Sequence, residues 1–165
     1  MRFELNEDTA VLIAVGTATI LVLGMVAYTA MQPKPTEYFF ALYLLGPTRM
    51  ATGYPKEVRR GESVNLYVGV YNSMGRVEWV RVVVKIGANA TSIPTDNAPS
   101  SAPVVKTYER ILLSNQTWEF PASIPIDVPV GNNYELLFEL WYLDDQSSRY
   151  VFDGRWTQIW LNVTS

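Results

Sequence analysis

The sequence predicts an all-β domain, an immunoglobulin-like β-sandwich of seven or eight strands, preceded by one N-terminal transmembrane α-helix. Three observations carry this. Ala10 to Met31 reads AVLIAVGTATILVLGMVAYTAM, with no charged residue in twenty-two positions. From Tyr38 onward, short segments alternate apolar and polar residues with period two, and Gly, Pro, Asn and Asp clusters punctuate them at regular intervals. No amphipathic helical pattern follows the apolar run, so the layers available for packing are sheets.

At about 1.5 Å per residue the apolar run makes roughly 33 Å of helix, enough to cross a hydrocarbon core of about 30 Å. Its only polar side chains are Thr17, Thr19 and Thr29, too few for the wet face of a globular helix. The flank MRFELNED sets one Arg against three acids, and the run is too long for the core of a cleaved secretory signal, so a retained span over 10–31 is expected. Residues 1–9 then form a short cytoplasmic tail. Residues 32–37 hold Pro33 and Pro35, which end the helix and make a stiff spacer. The rest, 38–165, is the extracytoplasmic domain.

Within it, YFFALYLL (Tyr38 to Leu45) is an aromatic-rich strand ending at Gly46-Pro47, and Gly46 to Glu62 is a long connection. In SVNLYVGVY, Val64, Leu66, Val68 and Val70 share one face. In VEWVRVVVKI, Val80, Val82, Val84 and Ile86 oppose Trp79, Arg81, Val83 and Lys85. Gly87 to Pro103 reads as a polar loop without apolar period. Val104 to Leu113 resumes a strand, and Pro121, Pro125 and Pro129 confine the next segment to an edge or an irregular crossing. YELLFELWYL (Tyr134 to Leu143) is followed by a turn over 144–148. Tyr150 to Phe152 and Arg155 to Val163 then read as a closing hairpin through Asp153-Gly154.

Composition excludes whole classes of chemistry. The chain has neither Cys nor His, so disulfides, thiol nucleophiles, Cys/His zinc sites and imidazole catalysis are all ruled out. A net charge of −3 without a basic block argues against nucleic acid as a partner. No G-x-S-x-G elbow, phosphate loop or H-E-x-x-H motif is present, and no catalytic residue, cofactor or firm metal site is assigned. Asp144, Asp145 and Asp153 are weak candidates for a calcium ion across the last turn. Glu135 and Glu139, spaced around Leu137, read as a solvent-facing stripe. Glu57 and Glu62 beside Arg59 and Arg60 read as a surface ion-pair cluster.

The charges flanking the span are too few to orient it. Three N-x-Thr sequons, at Asn89, Asn115 and Asn162, point to an outward domain carrying glycans. Parity on the last strand sets Ile159, Leu161 and Val163 on one face and Trp156, Trp160 and Asn162 on the other. Trp79 likewise opposes the valine face of its own strand. Large aromatics opposite a complete apolar face need a cover, either a loop or strand of the same chain or a partner protein, with a sugar platform as a third reading.

The run LGPTRMATGYPKEVRRGESVNLYVGVYN, from Leu45 to Asn72, resembles the archaeal membrane-protein family called domain of unknown function 1616. The matching positions are Gly46, Pro47, Ala51, Tyr54, Pro55, Val58, Gly61, Glu62, Val68, Gly69, Val70 and Asn72, with Trp118-Glu119 and Tyr134 to Leu143 as a looser continuation. The resemblance implies an archaeal, membrane-attached, extracytoplasmic β-domain and implies no activity. Physically, Gly61-Glu62 reads as a turn into a strand and Tyr54-Pro55 as an anchored bend, so the motif is structural.

The function expected from these readings is that of a non-enzymatic single-pass protein of the cell membrane. Residues 10–31 would contact lipid, and the outward domain would act as a structural or accessory subunit of an envelope or membrane protein complex. A pilin-like filament subunit and a sugar- or calcium-binding surface module are the alternatives.

Overall fold

The computed structural model describes residues 6–32, 37–88 and 93–165, which fall into two compact units split between Thr36 and Glu37. The first is α1, Glu7–Met31, three residues longer at its start than the apolar run because Glu7 and Asp8 suit the positive end of a helix. The Thr17, Thr19 and Thr29 hydroxyls donate to the carbonyls of Ile13, Val15 and Val26 at 2.8–2.9 Å. Each threonine hydroxyl is thereby satisfied within the helix. The helix is long and apolar enough to cross a membrane, a description that membrane spans and signal sequences share. Of the spacer, 33–36 lies outside the described residues.

The second unit contains, among the described residues, eight strands: β1 (Phe40–Leu45), β2 (Glu57–Arg59), β3 (Ser63–Asn72), β4 (Glu78–Ala88), β5 (Val104–Leu112), β6 (Gln116–Pro125), β7 (Gly131–Asp144) and β8 (Arg149–Thr164). They form two sheets, β1-β3-β6 and β2-β8-β7-β4-β5. All pairs are antiparallel except β2 with β8. This is a β-sandwich, and its core is one cluster fed by alternate residues of both sheets. Val64, Leu66, Val68 and Val70 of β3 and Val80, Val82, Val84 and Ile86 of β4 are all buried, on the faces their alternation predicts. Each such side chain contributes about 1.5–3 kcal/mol on leaving water. Pro121 and Pro125 sit in β6, an edge strand, where a missing N–H leaves no neighbour unpaired.

Three expectations are corrected. The closing segment is a single strand and not a hairpin. Trp141 pairs with Phe152 and Glu139 with Trp156, so Asp153, Gly154 and Arg155 bulge out opposite Leu140. Gly154, at φ +83, makes the bulge, because glycine in the left-handed region serves bulges as well as turns. The connection Gly46 to Glu62 contains β2. The polar loop is anchored: its described part, 93–103, forms a strap with Pro94, Ser100 and Ala102 buried.

Candidate functional site

The face of interest is the outer side of the five-stranded sheet. Register sets its rows. Arg81 of β4 lies beside Trp141 of β7, which pairs with Phe152 of β8; Val83 lies beside Glu139, which pairs with Trp156. Lys85 lies beside Leu137 and Gln158, and Gly87 beside Glu135 and Trp160. An outer sheet face is ordinarily polar and wet. Here Val83, Lys85, Glu135, Leu137 and Glu139 are all buried.

The strap provides part of the cover and is hooked in place by a buried ion pair. Lys85 Nζ sits 2.9 Å from Glu139 Oε2 and donates to the Ser100 carbonyl at 2.6 Å. Glu139 Oε1 accepts the Ser100 N–H at 2.6 Å, and its Oε2 accepts Trp141 Nε1–H at 3.1 Å. The strap also reaches β8, since a Cβ on Gly154 would stand 2.6 Å from the Asp96 carbonyl oxygen. Glu135 and Glu139, expected as a solvent-facing stripe, are both 0% exposed. The signal was available in YELLFELWYL. Leu136, Leu137 and Phe138 are consecutive apolar residues, which a strand carries only where both faces are covered.

Glu135 differs from Glu139. Neither of its carboxylate oxygens has a hydrogen-bond partner among the described residues, and burial pushes its pKa up. The Oε1 of Gln158, diagonal to it on β8, is likewise buried and unpartnered. Gln158 and Trp160 also line an open groove whose opposite wall is residues 51–56. The groove exists because β2 pairs with only the last turnings of β8, from Asn162 to Thr164.

Of the aromatic residues singled out, Trp79 is 44% and Trp160 40% exposed, while Trp156 is half-buried opposite Glu139. Asn115 is exposed in the β5–β6 turn, with its Oδ1 accepting the Tyr71 hydroxyl. Asn162 is half-buried and accepts the Asn133 N–H. Asn89 lies outside the described residues. The acidic trio is not assembled. Hydrogen bonds from the Ser147 side chain and N–H hold the Asp144 carboxyl below the ordinary range; Asp145 pairs with Arg76, and Asp153 with Arg155. No cluster of three or more Asp and Glu suited to a metal occurs among the described residues. Arg60 pairs with Asp127 in place of Glu57 or Glu62.

The motif residues have structural tasks. A Cβ on Gly46 would overlap the Thr52 carbonyl oxygen, and one on Gly69 would overlap the Tyr43 ring, which lies across that glycine. Pro47 follows in the exposed bend. The Tyr54 hydroxyl, next to half-buried Pro55, donates to the Leu44 carbonyl at 2.8 Å. Gly61, at φ +85, donates to Ile126 O, and the Glu62 carbonyl accepts Ile126 N–H. Asn72, fully buried, donates through Nδ2 to the carbonyls of Arg76, Leu112 and Leu113 and accepts Met74 N–H.

Comparison with known proteins adds a family. No match was found among curated proteins. Similar solved structures include a β-glucosidase from Listeria innocua in complex with glucose, at 12% identity and TM-score 0.46, covering 78% of this chain. This chain spans 16% of that enzyme's length. The CARDB domain of a Pyrococcus furiosus protein, in complex with di-metal ions, gives 10% identity and TM-score 0.45 over 81% of this chain and 100% of that domain. At these scores the likeness carries no function across. The family model, by contrast, matches residues 33–161, most of the chain and nearly all of the sandwich unit. The motif positions from Gly46 to Asn72 fall inside that match, so the chain belongs to the family described as Domain of unknown function (DUF1616).

Proposed function

We propose that this is a non-enzymatic, single-pass membrane protein whose outward domain serves as a structural or accessory subunit of an envelope or membrane protein complex. The observation behind the subunit role is that Trp79 and Trp160, at opposite ends of one outer sheet face with the covered Val83 and Lys85 rows between them, are both half-exposed. Indoles left in water gain nothing for an isolated domain, and Trp is enriched at the centres of protein contacts. The helix Glu7–Met31, with each threonine hydroxyl along its apolar run bonded internally, supports the anchor. The strand order β1-β3-β6 against β2-β8-β7-β4-β5 supports an immunoglobulin-like sandwich, a scaffold used widely for surface recognition. The sequons support an outward domain, with exposed Asn115 the best placed to carry a glycan.

Two measurements test this reading. Protease added to intact cells should digest the sandwich unit, and digestion only after lysis would overturn the outward placement. Replacing Trp79 and Trp160 by Ser should shrink the complex seen on native gels of solubilised membranes, while the melting temperature of the protein stays near its original value. An unchanged complex would refute the contact role. Trp156→Ser is the control for packing, since that half-buried indole should cost stability directly.

A further inference from the structure

We propose that Glu135 and Gln158 form a binding site for a monovalent alkali cation, entered from the groove between residues 51–56 and β8. Three oxygen atoms carry the inference: both carboxylate oxygens of Glu135 and Oε1 of Gln158. All are buried, and none has a donor among the described residues. Glu135 pairs with Trp160 and Leu137 with Gln158, so the two side chains are diagonal neighbours on one face of adjacent strands, about 7–8 Å apart at the backbone and within mutual reach.

Charge decides what the site lacks. The covered part of this face holds two carboxylates, Glu135 and Glu139, and one ammonium, Lys85. Lys85 is committed to Glu139 at 2.9 Å and to the Ser100 carbonyl. Arg81, farther along β4, is paired with Glu109 at 2.6 Å. One negative charge is therefore left over, and an isolated buried carboxylate is unfavourable. A proton on Glu135 would cancel the charge but supply a hydrogen bond to only one acceptor. A monovalent cation cancels it and can take more than one oxygen ligand. A divalent ion would leave a positive charge in the same covered place. Hard oxygen donors, in a chain without His or Cys, suit an alkali ion over a transition metal. Gln158 belongs both to the groove lining and to the buried pair, which supplies a path in, with Trp160 beside it.

The test uses the full chain in detergent, melted at about pH 8 in sodium, potassium and N-methyl-D-glucamine chloride at equal ionic strength. The melting temperature should rise saturably with sodium or potassium over the bulky organic cation. Apparent affinity should weaken about tenfold per pH unit below the titration of Glu135, because cation and proton compete. The other titratable groups near it are Lys85 and Glu139, paired with each other, and Tyr54 and Lys56 in the groove wall, of which Tyr54 is bonded to the Leu44 carbonyl and Lys56 is exposed. Glu135→Gln should abolish the cation response, and Gln158→Leu should weaken it about tenfold, which keeps the test decisive should the first variant not fold. Equal melting in all three salts, a pH response without a cation response, or a response retained in Glu135→Gln would each overturn the proposal.

Discussion

Asn72 closes one end of the sandwich with a single side chain. Its Nδ2 reaches three carbonyls, of Arg76, Leu112 and Leu113, at 2.9–3.2 Å, and its Oδ1 takes Met74 N–H at 2.9 Å. Asn72→Ala leaves these groups without partners and should cost about 1–3 kcal/mol in chemical denaturation. Asn72→Asp should cost more than Ala, because an acceptor would then face three acceptors. Glu135 makes a prediction in pH. Burial raises its folded pKa above the ordinary 4.5, so the folded state holds its proton longer than the unfolded state does. Stability in buffer free of alkali cations should therefore fall as pH rises from about 4.5 through the raised value, and should level off above it. Asp153, whose pKa is also raised, by burial against the opposing pull of Arg155, has the same sign. Glu135→Gln should accordingly reduce the slope in a pH series of melts without abolishing it.

Among the elements, the strap over 93–103 and the bulge in β8 depend on one another. Lys85 holds the Ser100 carbonyl and Glu139 its amide, and the Asp96 carbonyl passes close over Gly154. Lys85→Met would leave Glu139 as a second unpaired buried carboxylate. We expect a loss of about 3–5 kcal/mol, together with faster hydrogen exchange at the Ser100 amide and new protease cleavage within 93–103. Gly154→Ala places a Cβ at φ +83 and against the Asp96 carbonyl. It should cost at least about 1–2 kcal/mol and loosen the same strap amides, leaving the β3–β6 pairing protected.

For the molecule as a whole, the sandwich unit holds its own core, and among the described residues every buried apolar side chain belongs to it. Residues 37–165, produced without the helix, should fold as a cooperative β domain, with a circular dichroism spectrum free of helical signal and one thermal transition. At about 130 residues it is large enough for a core without disulfides. A non-cooperative melt would show that the helix or a partner is needed for folding.

The apolar helix, the two-faced strands and the position of the core are legible in the amino-acid order alone. Each of these follows from a local period that a single segment expresses alone: no charge for twenty-two residues, or apolar side chains at every second position. Parity also placed Trp79 and Trp160 opposite the core without any knowledge of their neighbours, and the motif glycines and Asn72 announced fold-determining positions. What covers the outer face of the larger sheet is set by contacts between segments distant in the chain. A loop with no period carries no local instruction. Whether it hangs free or crosses a sheet depends on Ser100 meeting Lys85 and Glu139, residues 15 and 39 positions away. The same holds for Asp153-Gly154, where a left-handed glycine serves a hairpin and a bulge equally well until pairing with β7 chooses. Glu135 and Gln158 read as ordinary polar strand residues for the same reason: the burial that makes them unusual is imposed by chain brought in from elsewhere.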